Sequence, residues 1–111
     1  TNVSLDKLKE KFGKAGWAAR VSHNDRFQSV FICQNPGEGN RKHYHPDSDE
    51  FWYIVEGELE WWIEGKGVHK VKAGDVVCVK AKTPHQIKCV GDKPGIRLAI
   101  VKPDVEHIYV E

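Results

Sequence analysis

Three histidines and one glutamate in this chain are residues that could bind a metal ion: His43, His45, Glu50 and His85. Neutral imidazole suits zinc, iron, copper and nickel, and a carboxylate completes a mixed nitrogen and oxygen ligand set. Residues two positions apart in an extended strand point to the same side, so His43 and His45 can reach one ion. Such a ligand set leaves one or two positions open on a five- or six-coordinate ion.

These donors lie far apart along the chain, so a fold must bring them together. A helix is predicted over the first dozen residues, with Ser4 as its cap and Gly13 at its end. Short strands punctuated by glycine follow, and are predicted at 18–21, 27–33, 50–55, 58–63, 68–71, 76–80, 85–90 and 96–101. This spacing is typical of an antiparallel barrel or sandwich, in which Glu50 and His85 each begin a strand.

The spacing of the donors and of the glycines around them resembles the motifs of a known family. The first cupin motif, G-x5-H-x-H-x4-E-x6-G, is matched in full by Gly37, His43, His45, Glu50 and Gly57. The second motif, G-x5-P-x-G-x2-H-x3-N, is matched at Gly74 and His85, whereas its proline, glycine and asparagine are replaced by Lys80, Lys82 and Cys89. Over about residues 27–101 the chain therefore resembles the cupin superfamily of small β-barrels.

The resemblance implies an all-β, jelly-roll barrel with a short N-terminal helix, and one divalent metal ion (Fe, Mn, Ni or Zn) inside it. It implies that the ligands are His43, His45, Glu50 and His85. Two alternatives are four unrelated surface residues and a degenerate site that works without metal. The sequence shows no linker, repeat or low-complexity segment, so we expect one domain over residues 1–111 with its barrel core at about 27–101.

Strand alternation also predicts residues that shape a substrate pocket. Arg41 shares the predicted inward face of His43, where a guanidinium could hold a substrate carboxylate through two parallel hydrogen bonds. The alternative is a solvated Arg41 at the barrel mouth. Trp52 and Ile54 share the face of Glu50, and Ile87 and Cys89 share the face of His85. These four residues either line the pocket, with a thiol beside the metal, or belong to the ordinary core.

Three classes of function fit this pattern, because cupins include enzymes of several kinds and binding proteins. We favour a metal-dependent enzyme of the dioxygenase type, with Fe(II) as one candidate metal, acting on a small organic anion. The alternatives are a non-oxidative lyase, decarboxylase or isomerase, and a non-enzymatic small-molecule binder or sensor. The remaining histidines with no motif around them, His23, His69 and His107, are expected at the surface.

Composition narrows the possible partners. The chain has 17 basic and 16 acidic residues and no basic run interleaved with aromatics, so we expect no nucleic-acid partner. No apolar run is long enough to cross a membrane. Three cysteines without a CxxC pattern favour reduced thiols and a cytoplasmic location. Phe51, Tyr53 and Val55 face away from Glu50, so another sheet or a second subunit is expected to cover that face, and we favour a homodimer.

Overall fold

The structure, a computed structural model, describes residues 2–110, which form one short helix and ten strands. Helix α1 covers Leu5–Phe12, and the strands are β1 Trp17–His23, β2 Gln28–Gln34, β3 His43–Tyr44, β4 Glu50–Glu56, β5 Glu58–Ile63, β6 Gly67–Lys72, β7 Val76–Val79, β8 His85–Val90, β9 Gly95–Val101 and β10 Ile108–Tyr109. The Ser4 hydroxyl caps α1 by accepting the Lys7 amide at 3.4 Å, and Gly13 ends it with a φ of 70°. The described residues contain no helix long and apolar enough to span a membrane.

Two five-stranded antiparallel sheets face each other. One has the strand order β1-β2-β9-β4-β7 and the other the order β10-β3-β8-β5-β6. The main hydrophobic core lies between them and is centred on Trp52, Ile54, Leu59, Trp61 and Ile87. A smaller cluster around Trp17 and Ile96 joins the helix to the outside of the first sheet. The predicted all-β jelly-roll barrel with an N-terminal helix is confirmed.

In strand β4, successive side chains point alternately into the barrel and out of it. Glu50, Trp52 and Ile54 are buried, whereas Phe51 and Tyr53 are 43% and 44% exposed. β4 pairs with both β7 and β9, so it lies inside its sheet and its register is fixed on two sides. This pairing fixes Glu50 at the start of the strand and directs it into the interior.

Two short strands depart from the expected pattern. The segment around Arg41 is not a continuous strand, because β3 consists only of His43 and Tyr44. Strand β10, which the sequence did not predict, pairs Ile108 with Tyr44 and Tyr109 with His43. The C-terminal segment therefore lies along the edge of the second sheet, next to the HxH sequence.

Gly57, the last position of the first motif, allows a close approach of two backbone segments. Its φ is +79°, and a Cβ there would lie 2.7 Å from the Pro94 carbonyl oxygen and 2.8 Å from the Gly95 Cα. A side chain at this position would be strained in its own backbone and would also collide with the chain leading into β9. The glycine thus permits the tight β4–β5 connection.

Candidate metal centre

The structure brings the four predicted donors together at one end of the barrel interior. Their exposed fractions are 3% for His43, 3% for His45, 9% for Glu50 and 1% for His85. The His43 and His85 ring centroids lie 4.5 Å apart, and those of His45 and His85 lie 5.5 Å apart. The register pairs His43 on β3 with His85 on β8, so neighbouring strands present both rings side by side.

Each of the three imidazoles is oriented by a backbone carbonyl. The Nδ1 atoms of His43, His45 and His85 lie 2.7, 2.9 and 2.9 Å from the carbonyl oxygens of Arg41, Glu106 and Thr83. A carbonyl only accepts, so each Nδ1 carries the proton and donates. Nε2 is therefore the nitrogen of each ring that is left for a metal, as is usual for histidines that bind a metal through Nε2, and in His45 this atom contacts Glu50.

The atoms that face inward fit a cation. His85 Nε2 is buried and has no hydrogen-bond partner among the described residues, which is costly for a polar atom unless something binds it. The His45 Nε2 and Glu50 Oε1 atoms are 2.7 Å apart. Two neighbouring ligands at about 2.1 Å from one ion and at right angles lie about 3.0 Å apart. His45, Glu50 and His85 have donor atoms within 4.8 Å of one another and could hold a metal ion.

Burial sets the protonation of the site. It lowers the pKa of His43 to about 4, with the neighbouring His85 and His45 rings adding to the effect. Burial also lowers the pKa of His85. For His45, burial disfavours the charged form, but the hydrogen bonds to Glu50 and to the Glu106 carbonyl outweigh it and raise the pKa. Two rings are thus neutral at pH 7, and a cation would take the place of the proton shared by His45 and Glu50.

The loops that carry the two motifs are bonded to each other. The Lys82 amide donates to the His45 carbonyl at 2.7 Å, and the Ala81 amide donates to Asp49 Oδ1 at 2.8 Å. Lys82 stands where the second motif has glycine and adopts a φ of 69°, a conformation that usually favours glycine. The loop before His85 therefore keeps a left-handed turn without its glycine, and the hydrogen bond to His45 supports that turn.

Arg41 does not face the interior as expected. Its side chain is exposed, and its guanidinium carbon lies 4.2 Å from the centroid of the Tyr109 ring. The prediction assumed that strand alternation extends back to Arg41, but β3 begins only at His43. The contribution of Arg41 to the site is its carbonyl, which accepts the His43 Nδ1–H.

The other pocket candidates all point inward, and Trp52 borders the histidines. Its ring lies 5.5 Å from that of His85 in an edge-to-face arrangement. Ile54, Ile87 and Cys89 are 0%, 2% and 0% exposed and belong to the hydrophobic core. Cys89 lies four residues along β8 from His85, which corresponds to about 13 Å of strand. Its thiol contacts the Gln34 carbonyl at 3.5 Å instead.

Two further residues bear on the site in ways that were not predicted from sequence. Arg97 on β9 is 2% exposed, and its Nη1 donates to Gln34 Oε1 at 2.7 Å. Arg97 interrupts the apolar run at 96–101, and the sequence pattern does not show whether such a charge is buried. His107 precedes β10, and its ring centroid lies 4.9 Å from that of His43 and 4.8 Å from that of His45. It has no motif around it, so only the chain path reveals its position.

Comparison with known proteins agrees with this geometry. The family described as "Cupin domain" matches residues 30–109. A crystal structure of an uncharacterized conserved protein with a double-stranded beta-helix domain from Klebsiella pneumoniae superposes with a TM-score of 0.84 at 23% identity, covering 99% of this chain and 91% of that one. At that identity the likeness establishes the fold alone.

Several curated proteins are similar in sequence. The chain is 32% identical over 96 residues to polyketide synthase CurC of Streptomyces cyaneus, covering 82% of this chain and 61% of that protein. It is 29% identical over 80 residues to oxalate decarboxylase OxdC of Bacillus subtilis, covering 68% and 21%. It is 26% identical over 88 residues to quercetin 2,3-dioxygenase of the same species, covering 79% and 26%. The chain thus spans less than two thirds of the length of each of these relatives.

Proposed function

The chain belongs to the cupin family, and we propose that it is a metal-dependent enzyme of the dioxygenase type that acts on a small organic anion. The observation that carries the proposal is the shared orientation of the three imidazoles, whose Nδ1 atoms all donate to backbone carbonyls. His43, His45, Glu50 and His85 would hold one divalent ion. When bound, the ion supplies positive charge and open coordination positions for substrate or oxygen.

The protein's own residues would position the ion and keep water out. The three carbonyl contacts fix the imidazole planes, so little reorganisation is needed when a ligand binds. Trp52 packs against His85 and forms an apolar wall beside the donors. An apolar wall strengthens electrostatic interactions at the site because it excludes water. The similarity to the relative named quercetin 2,3-dioxygenase supports an oxidative reaction.

The anionic nature of the substrate is supported by Arg97. It is buried, no carboxylate among the described residues pairs with it, and its Nε has no hydrogen-bond partner. Burial lowers its pKa to about 10, while the charge of Glu50 acts in the opposite direction, so Arg97 stays charged at neutral pH. A buried cation without a carboxylate partner favours an anion nearby. In the pairing of β9 with β4, Arg97 lies opposite Ile54, four residues along β4 from Glu50, so it would bind the part of the anion that points away from the metal.

A non-oxidative lyase or decarboxylase is the second candidate, because a relative is named oxalate decarboxylase. One experiment separates the two. The protein is purified without chelators, its metal content is measured by elemental analysis, and turnover of aromatic, thiol and carboxylate compounds is followed with an oxygen electrode. Oxygen uptake supports a dioxygenase, and turnover without oxygen supports the second candidate. Tight ligand binding with no turnover in either condition identifies a binder, and a metal-free protein that takes up no added metal refutes the proposal.

The anion assignment has its own test, with Arg41 as the matched arginine. Calorimetry measures the binding of oxalate, as a probe dicarboxylate, to the metal-loaded protein and to its Arg97→Gln and Arg41→Gln variants. Loss of a charge-assisted hydrogen bond costs about 1.5–3 kcal/mol, so Arg97→Gln should weaken binding by about tenfold or more. Arg41→Gln should leave it unchanged. Equal effects of the two substitutions would contradict the assignment.

We also propose a homodimer through the outer face of the first sheet. Phe51, Tyr53 and Val76 are exposed there, and the register places Tyr53 opposite Val76. A second copy would cover this apolar face. Val76 is 62% exposed on the first sheet, and Val68 is 61% exposed on the second sheet. Val68 is therefore a matched control position for a substitution at Val76. By light scattering, Val76→Glu should give a monomer and Val68→Glu should not; a monomeric parent protein would rule the dimer out.

A further inference from the structure

A second group of donors adjoins the first and involves the C-terminal segment. His43, His45 and His107 have ligand atoms within 4.8 Å of one another. Two ligands on opposite sides of one ion are separated by about 4.2 Å, so this spacing approaches that of a single coordination sphere. His107 is exposed, whereas His43 and His45 are buried, so His107 lies on the solvent side of the pair.

The second group cannot be an independent metal site. The Nδ1 atoms of His43 and His45 already donate to the carbonyls of Arg41 and Glu106. Each ring therefore has one nitrogen left for a metal, Nε2, and one nitrogen binds one ion. An ion held by His43 and His45 is the same ion that Glu50 and His85 face. A nitrogen of His107 close to both rings would then reach that ion from its solvent side.

The segment that carries His107 is fixed in place by backbone contacts on both sides of it. We define residues 106–110 as the C-terminal strap. The Glu106 carbonyl accepts the His45 Nδ1–H at 2.9 Å, β10 pairs with β3, and the Val110 amide donates to the Lys42 carbonyl at 3.1 Å. The Tyr109 ring, 6.3 Å from the His107 ring and nearly parallel to it, is covered by Arg41. The strap therefore both orients a ligand and presents another imidazole.

We propose that His107 is a further nitrogen ligand of the same ion, delivered by the C-terminal strap to a position that the four motif residues leave open. This inference rests on the proposed function, since it requires that the motif residues hold a metal. Four imidazoles and one carboxylate leave a six-coordinate ion a single open position. Such a nitrogen-rich set favours zinc, nickel, copper or iron over manganese and magnesium.

Zinc alone is the probe, because Zn²⁺ binds imidazole and is neither coloured nor paramagnetic. Zinc affinity is measured by chelator competition for the parent, His107→Ala and His69→Ala, where His69 is an exposed histidine on β6. Loss of an outer-shell partner costs about 10–100-fold in affinity, so removal of a direct ligand should cost at least about tenfold. His69→Ala should match the parent, and circular dichroism confirms that all three are folded.

A direct readout comes from ¹⁵N NMR of the imidazole nitrogens with and without zinc. Zinc should shift one ring nitrogen of His107 as it shifts those of His43 and His85, while the ring of His69 stays unchanged. Weaker affinity without a shift at His107 would mean that the strap acts only through the Glu106 carbonyl, and would overturn the ligand assignment. Unchanged affinity in His107→Ala would overturn it as well. If the parent binds no zinc, manganese or iron, it is the proposed function that fails.

Discussion

The two ends of the barrel interior are built from the same strands and yet have opposite chemistry. Strand β4 presents Glu50 to the interior at its first residue and Ile54 four residues later. Strand β8 does the same with His85 and then Cys89. At the first residues, polar atoms point toward a common centre, whereas further along the interior side chains are mostly apolar, although the buried Arg97 lies opposite Ile54. We call these the donor end and the packed end.

The difference shows what strand periodicity can and cannot fix. Alternation decides that a side chain points inward, but the position along the strand decides which chemistry it meets. At the donor end, loops and the C-terminal strap supply carbonyls that satisfy one nitrogen of each histidine. At the packed end, Ile54, Leu59 and Cys89 are fully buried and fill the space. Substitutions at each end can show whether the two ends are independent.

The largest effect is expected from His45→Ala at the donor end. It removes a nitrogen and leaves Glu50 without its partner, so metal affinity should fall by more than about a hundredfold, beyond the cost of losing an outer-shell group. The barrel should still fold, because the packed end is untouched. Elemental analysis after gel filtration measures the metal, and circular dichroism measures the fold. Unchanged metal content would mean that His45 is not a ligand.

Sequence reasoning found the donor end because the motif couples donors to glycines and to a strong strand. Glu50 and His85 both begin strands, β4 in the first sheet and β8 in the second, and the packing of the two sheets against each other brings them to one end of the barrel. It misplaced Arg41 because β3 has two residues, too few for alternation to reach that position. It missed His107 because a two-residue strand such as β10 has no periodicity to detect. Both errors concern short segments whose position depends on tertiary contacts.

The next effect is expected from Leu59→Ala at the packed end. Leu59 is fully buried in the main core, and such truncations cost about 2–5 kcal/mol of unfolding free energy. Metal affinity should stay within about twofold, because distant sites are usually additive. Denaturant unfolding and chelator competition measure the two quantities. A large loss of affinity in a variant that remains folded would show that the two ends are coupled.

A smaller effect is expected from pH on the metal-free protein. The pKa of His43 is about 4 in the folded state against 6.5 in the unfolded chain, and the pKa of His85 is also lowered. As pH falls below 6.5, the unfolded chain binds protons that these buried rings do not, so stability falls. The raised pKa of His45 acts in the opposite direction.

The test compares Tm at pH 7 and pH 5 for the chelated parent and for His43→Asn. The parent should lose several degrees, since about 1 kcal/mol corresponds to about 4–8 °C in a domain of this size. The variant, which lacks one of the two buried rings that resist protonation, should lose less. The same loss of Tm in both proteins would mean that His43 is protonated as readily in the fold as in the unfolded chain.

The smallest effect is expected at Cys89. The sequence allowed a position for its thiol beside the metal, whereas the structure places it at the packed end. A thiol beside the metal would be shielded in the holo form and would react after metal removal. In the structure Cys89 is fully buried, and burial raises its pKa, so little reactive thiolate forms. Mass analysis after labelling should find Cys89 unmodified with and without metal, and Cys78, which is exposed, modified in both. Labelling of Cys89 only after chelation would show that the metal holds the packed end closed, and the division between the ends would then fail.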